Sequence, residues 1–211
     1  MGLSLWLSIG VIAVSAAFAV AGAYQKSRFT HYAFKPLTMI LIMSLAWDRA
    51  NGASQPYGYL LLAGLGLGLV GDVALMLPGT WFRQGMAAFG AGHIFYCLAF
   101  ALGTRVFNLP ALAALGAWGG AVYLVLRPGL GRLRLPVTAY MAIAVLMAWL
   151  GVCRYLTFLE TKSLFVLAGG LLFLFSDSVN GFKRFRKPFR AAELLILPPY
   201  FAAQLLFALS I

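Results

Sequence analysis

Tyr57 to Leu77 reads YGYLLLAGLGLGLVGDVALML, an unbroken apolar run whose one charged side chain is Asp72. At a rise of about 1.5 Å per residue, a helix of this length crosses the hydrocarbon of a bilayer. Ser163 to Phe182 reads SLFVLAGGLLFLFSDSVNGF and repeats the arrangement, with Asp177 alone. An ionised carboxylate at the centre of such a helix costs about 2.5–3.5 kcal/mol on insertion scales. Neither aspartate helps to make its helix. Intramembrane carboxylates mark functional sites by default, and these two are the first candidates.

The rest of the chain has the same character. Its 211 residues are 63% hydrophobic and 10% charged, with a mean hydropathy of +0.91. A soluble domain carries about 25% charged residues. Apolar runs fall at Leu3–Ala23, Tyr32–Trp47, Tyr57–Leu77, Gln84–Gly103, Val106–Leu126, Leu135–Gly151, Ser163–Phe182 and Ala191–Ser210. They predict an all-α polytopic membrane protein of eight transmembrane helices, one integral membrane domain over residues 1–211 with short loops. The first run is too long for a signal h-region and begins without a basic n-region, so it reads as the first span. Breaks are signalled by Gln25-Lys-Ser-Arg28, Asn51-Gly52, Pro78-Gly79, Asn108-Leu-Pro110 and Pro128-Gly129. Cys97 and Cys153 lie in or beside apolar runs and read as packing residues, not as a disulfide framework.

The net charge of +11 has an address. Twelve of the sixteen Lys and Arg lie on the connections after spans one, three, five and seven; only Arg49, Arg105, Arg154 and Lys162 lie on the other side. The positive-inside rule then puts the basic loops in the cytosol and both termini outside, as in a bacterial inner membrane. The excess charge needs no nucleic-acid partner, and basic loops attract anionic lipid head groups. On this topology both aspartates sit about 8 Å inside the cytosolic end of their helices. Lys35, His93, Tyr96, Tyr140, Tyr200 and Gln204 gather in the same half, as in a pocket open to the inner leaflet. Lys35 either snorkels to the interface or holds a phosphate or an anionic aspartate. His93 and Tyr96, three residues apart, share a helix face. No His-x-x-x-His spacing points to a metal. Glycines 64, 66, 68, 71, 90 and 92 read as points of close helix packing. Pro198-Pro199 reads as a break in the eighth span that frees backbone carbonyls beside Tyr200 and Gln204.

A faint internal repeat accompanies the pattern. Gly-Leu-Val-Gly-Asp72 matches Phe-Leu-Phe-Ser-Asp177, and Lys35-Pro-Leu-Thr matches Leu135-Pro-Val-Thr at an offset of 100 residues. A parallel four-plus-four duplication would put the two aspartates on equivalent helices facing one cavity. Two carboxyls in such a poorly solvated site cannot both ionise cheaply, so one holds a proton while the other is anionic. That pair can protonate a substrate and then stabilise the cation or add water to it.

At these residues the chain resembles the YhhN-like lysoplasmalogenase family of integral membrane hydrolases. The resemblance is carried by Lys35-Pro36, Gly68-x-x-Gly71-Asp72, Phe89-x-x-x-His93-x-x-Tyr96, Tyr140, Leu-Phe-x-x-Ser176-Asp177 and Tyr200-x-x-x-Gln204, in the family's order. Where the family often has a serine-rich approach to the first aspartate, this chain has glycine and leucine. The resemblance implies cofactor-free hydrolysis of the vinyl-ether bond of a lysophospholipid (a lysoplasmalogen). The products are a fatty aldehyde and a glycerophospho-ethanolamine or -choline. Asp72 and Asp177 would be the acid/base pair, an equipment like that of glycoside hydrolysis. Lys35, His93, Tyr96, Tyr140, Ser176, Tyr200 and Gln204 would support them or bind substrate. The rival expectation is a proton-coupled transporter of lipids or small molecules, which also uses intramembrane carboxylates and repeats.

Overall fold

A computed structural model describes residues 3–53, 56–77 and 79–211, which are helical almost throughout. The helices α1 (Leu3–Tyr24), α2 (Arg28–Ala53), α3 (Pro56–Met76), α4 (Phe82–Ala101), α5 (Leu109–Leu126), α6 (Arg134–Phe158), α7 (Thr161–Phe185) and α8 (Ala192–Leu209) follow the eight apolar runs in order. Among the described residues, six of the eight are long and apolar enough to cross a membrane. The two that fall short are α2 and α4, which carry Lys35 and His93. Both side chains are buried inside the bundle, so they lower the hydropathy of the helix without facing lipid.

Helix ends follow local chemistry more closely than apolar patterning. α2 and α6 are 26 and 25 residues long and overrun the apolar stretches that predict them. Their bonds are local, so polar residues at either end continue the helix. The Asn51-Gly52 signal accordingly lies in the last turn of α2, while Pro78 of the Pro78-Gly79 signal lies outside the described residues. Asn108 caps α5 by accepting from the Ala111 N–H at 2.8 Å, with Pro110 in the first turn. α6 ends where Leu159 turns left-handed at φ 49°. Glu160 and Ser163 then form a reciprocal capping box that starts α7.

The expected break at Pro198-Pro199 is not there: α8 runs through both prolines from Ala192 to Leu209. Because they sit in its second turn, the bonds they forfeit are those to the Leu194 and Leu195 carbonyls at the helix entrance. The helix persists around them.

α2, α3, α4, α6, α7 and α8 form a closed ring, each packing on its neighbours in that order and α8 returning to α2. Advancing every helix by four maps this ring onto itself. The two outer helices break the symmetry: α1 packs on α2 and α8, whereas α5 packs on α6 and α7. α3 and α4 approach closely because Gly71 makes room for the Phe89 ring and Gly92 lies against the Gly64 carbonyl; a Cβ at these positions would meet them at 2.6 and 3.1 Å. Gly66 and Gly90 have ordinary space around them and are not required for packing. Cys97 and Cys153 are buried and unpaired among the described residues.

The two ends of the bundle differ. The end without the basic loops is tied shut by the C-terminal residues: Lys162 donates to the Ile211 carbonyl at 2.6 Å, Arg49 to the Leu209 carbonyl at 3.0 Å, and Tyr57 bonds Ser210 at 2.7 Å. Inward from it, Tyr96, Phe100, Phe173 and Phe207 pack ring against ring and fill the bundle. The polar interior lies toward the other, basic end.

Candidate functional site

One cavity at the basic end takes in both aspartates. Its wall draws Lys35 from α2, Asp72 from α3, Phe89 from α4, Tyr140 from α6, Ser176, Asp177 and Asn180 from α7, and Tyr200 from α8. The remaining surface is mostly apolar and includes Gly119, Val122 and Leu126 of α5. Asp72 lies four residues from the end of its helix and Asp177 eight from the end of its own, because α7 extends to Phe185. The two carboxyls share the cavity, and α7 continues about one turn further past its aspartate than α3 does.

Their surroundings are unlike. The Asp72 side chain is 2% exposed; Oδ1 pairs with Lys35 Nζ at 2.9 Å and Oδ2 accepts from the Tyr200 hydroxyl at 2.6 Å. Lys35 is itself buried, so the alternatives open to it in the sequence resolve to an ion pair with the aspartate. A buried pair holds together only while both partners are present. The Asp177 side chain is 19% exposed, and its only hydrogen bond among the described residues is from the Tyr140 hydroxyl to Oδ2 at 2.7 Å. No lysine or arginine among the described residues pairs with it.

Behind the wall lies a second layer. His93 is fully buried between Phe173 and Tyr140, with ring centroids 4.7 and 5.1 Å away, and its Nε2 lies 3.8 Å from Asp177 Oδ2. Neither ring nitrogen has a hydrogen-bond partner among the described residues. Tyr96 donates to Gln204 Oε1 at 2.6 Å, and Gln204 Nε2 donates on to the Tyr200 hydroxyl at 3.3 Å. Tyr96, Gln204 and His93 do not line the cavity; the first two act on Asp72 through Tyr200. The expectation that His93 and Tyr96 present together thus holds for burial but not for partners. Ser176 lines the cavity, yet its hydroxyl is tied to the Ile196 carbonyl at 2.9 Å, fastening α7 to α8.

The fourfold helix shift seen in the ring also relates these roles. Lys35 on α2 corresponds to Tyr140 on α6, and Asp72 to Asp177, both 105 residues apart; Tyr200 on α8 corresponds to His93 on α4, 107 apart. Each aspartate is thus contacted from the helix before its own and from one across the ring. The Lys35-Pro/Leu135-Pro match at offset 100 lies five residues out of this register, so it does not pair equivalent positions.

Sequence reading missed three polar residues of the wall: Ser178, Asn180 and Arg184. Asn180 and Arg184 lie three and seven residues after Asp177, and so on its helix face, a spacing that was available in the sequence. They were hidden because Arg184 belongs to a basic tract that reads as an orientation signal.

An all-helical membrane protein, with two unequal acidic side chains on one internal cavity, is the class that this fold and site define. The chain belongs to the YhhN family, whose model matches residues 30–211. It is 28% identical over 208 residues to the uncharacterized membrane protein YhhN of Escherichia coli O6:H1, covering 98% of this chain and 99% of that one. It is 34% identical over 176 residues to human lysoplasmalogenase TMEM86B, covering 83% and 73% respectively. Mouse lysoplasmalogenase TMEM86B is 31% identical over 205 residues, covering 97% and 85%. No solved structure matches the chain.

Proposed function

We propose that the protein is a membrane hydrolase of the lysoplasmalogenase type, cutting the vinyl-ether bond of a lysophospholipid with Asp177 and Asp72. The observation that carries this reading is the pair of carboxyls on one cavity in unequal settings. Asp72 has a cation at 2.9 Å and serves as the permanent anion. Asp177 has no such cation among the described residues to hold it as an anion, and it lies in a mostly apolar wall.

Asp177 is therefore the acid. With Oδ2 held by Tyr140, its other oxygen delivers the proton to the β-carbon of the vinyl ether, and the α-carbon becomes an oxocarbenium ion. The Asp72 carboxylate offers that cation a negative partner. Water adds to the α-carbon and returns a proton to Asp177; the hemiacetal then separates into aldehyde and glycerophospho-alcohol. One water is consumed and both carboxyls end as they began. Val122, Val145 and Leu174 supply the apolar wall for the alkenyl chain. The basic end faces the cytosol by the positive-inside rule, which sets the reactive bond near the inner-leaflet head groups. A bacterial inner membrane suits this orientation. The aromatic filling beyond the site argues against a transport path through the bundle.

The test is aldehyde release by purified protein from a lysoplasmalogen and from its saturated alkyl-ether analogue. Aldehyde from the vinyl ether alone is the expected result. Its absence with folded wild-type protein would refute the reading.

A further inference from the structure

A lysophospholipid also carries a phosphodiester, and sequence reading offers Lys35 as the cation for it. Lys35 is taken by Asp72. Of the cations that line the cavity, this leaves Arg184. Its guanidinium lies over the Phe82 ring at 4.4 Å, is exposed, and takes part in none of the ion pairs among the described residues. The neighbouring cations are differently engaged: Lys183 is paired with Glu193, and Arg190 lies over Tyr24. Among the basic residues from Lys183 to Arg190, Arg184 is the one that lines the cavity.

The geometry points to a head-group subsite in which Arg184, with Asn180 beneath it, holds the phosphodiester of the substrate. This inference rests on the hydrolase reading and deepens it. Asp177, Asn180, Gly181 and Arg184 all line the cavity and stand three, four and seven residues apart on one face of α7. They form a ladder from the carboxyl to the mouth, about 10 Å long at 1.5 Å per residue. A lysoplasmalogen is built in the same order: the vinyl ether, a short glycerol link, then the phosphate. Gly181 lets α7 lie close against Leu126 of α5, where a Cβ would meet that side chain at 2.9 Å. A guanidinium matches two phosphate oxygens at once, and packing on Phe82 holds its plane in place. Asn180 can add an amide N–H.

The phosphate does not change during the reaction, so this contact serves ground state and transition state alike. Its loss should raise KM and spare kcat. Arg184→Ala should raise KM for a lysoplasmalogen by roughly 10- to 100-fold, as for a lost charge-assisted hydrogen bond. Arg184→Lys should recover part of it. Arg186→Ala, in the same tract but away from the cavity, should leave KM as it was. For a 1-alkenylglycerol, which has no phosphate, wild type and Arg184→Ala should share one KM. Glycerophosphocholine should inhibit the wild type and lose potency against Arg184→Ala. Equal KM loss with Arg186→Ala, or equal loss on the alkenylglycerol, would overturn the subsite in favour of a general membrane-surface effect. Inhibition by inorganic phosphate with no KM change for the phospholipid would overturn it in favour of a free-anion site. The absence of aldehyde from wild-type protein on either substrate is a separate outcome, since it fails the hydrolase reading itself.

Discussion

The Asp72 half and the Asp177 half of the bundle are built to one plan and finished differently. In each, the aspartate is contacted from the helix before its own and from one across the ring. In the first half those contacts are Lys35 and Tyr200, a cation and a hydroxyl within bonding distance. In the second they are Tyr140, which bonds, and His93, which stands off at 3.8 Å. The outer helices extend the contrast. α1 covers the first half by packing on α2 and α8, whereas α5 is displaced onto α6 and α7 and contributes its small and aliphatic residues to the cavity wall. The difference teaches that one carboxyl is tied to a cation and a hydroxyl while its counterpart is held by a hydroxyl alone, which is the basis of the roles we propose for them. In a symmetric site the shared proton could rest on either carboxyl, whereas unequal partners distinguish the two.

The strongest way to break this comparison is to remove the carboxyl that we assign as acid. Asp177→Asn should lower kcat for aldehyde release by about 10²- to 10⁴-fold, the usual worth of a positioned acid/base group. It should leave thermal stability close to wild type, since no lysine or arginine among the described residues pairs with Asp177. Unchanged kcat would return Asp177 to a structural role. Asp72→Asn should behave differently. It strands a buried lysine, a loss of about 3–5 kcal/mol, so thermal unfolding in detergent should shift well downward along with activity. The double change Lys35→Met with Asp72→Leu removes both charges and should restore stability but not activity. Recovery of both would mean that the ion pair is scaffolding alone.

Much of this contrast was legible in the sequence, because the bilayer makes charge conspicuous. Two aspartates in otherwise apolar runs pointed to the residues that share one cavity, and the Lys/Arg asymmetry distinguished the two ends of the bundle. The eight helices followed from the length of the runs. What could not be read was pairing across the ring. Lys35 is 37 residues from Asp72 and Tyr200 is 128 away, so nothing local distinguishes an ion pair from a phosphate ligand. The persistence of α8 through two prolines was equally hidden. Proline removes a bond wherever it stands, but whether the helix survives depends on what packs around it. Arg184 was concealed by its neighbours, since a run of basic residues reads as a single electrostatic object. Only the fold of α7 turns one of them into the cavity.

The tyrosines sharpen the comparison most finely. Tyr140 supplies the only hydrogen bond that Asp177 has among the described residues, so Tyr140→Phe should cost about tenfold in kcat through loss of one bond to a carboxyl. Tyr200→Phe removes the equivalent bond from Asp72 but leaves the ion pair with Lys35 in place. The expected loss is a fewfold in kcat, because Lys35 still holds Asp72 in place. Measured on the same substrate, the ratio of the two effects reports how far the halves have diverged. A larger loss at Tyr200 than at Tyr140 would reverse the assignment, making Asp72 the carboxyl whose exact placement the proton transfer requires and Asp177 the fixed partner.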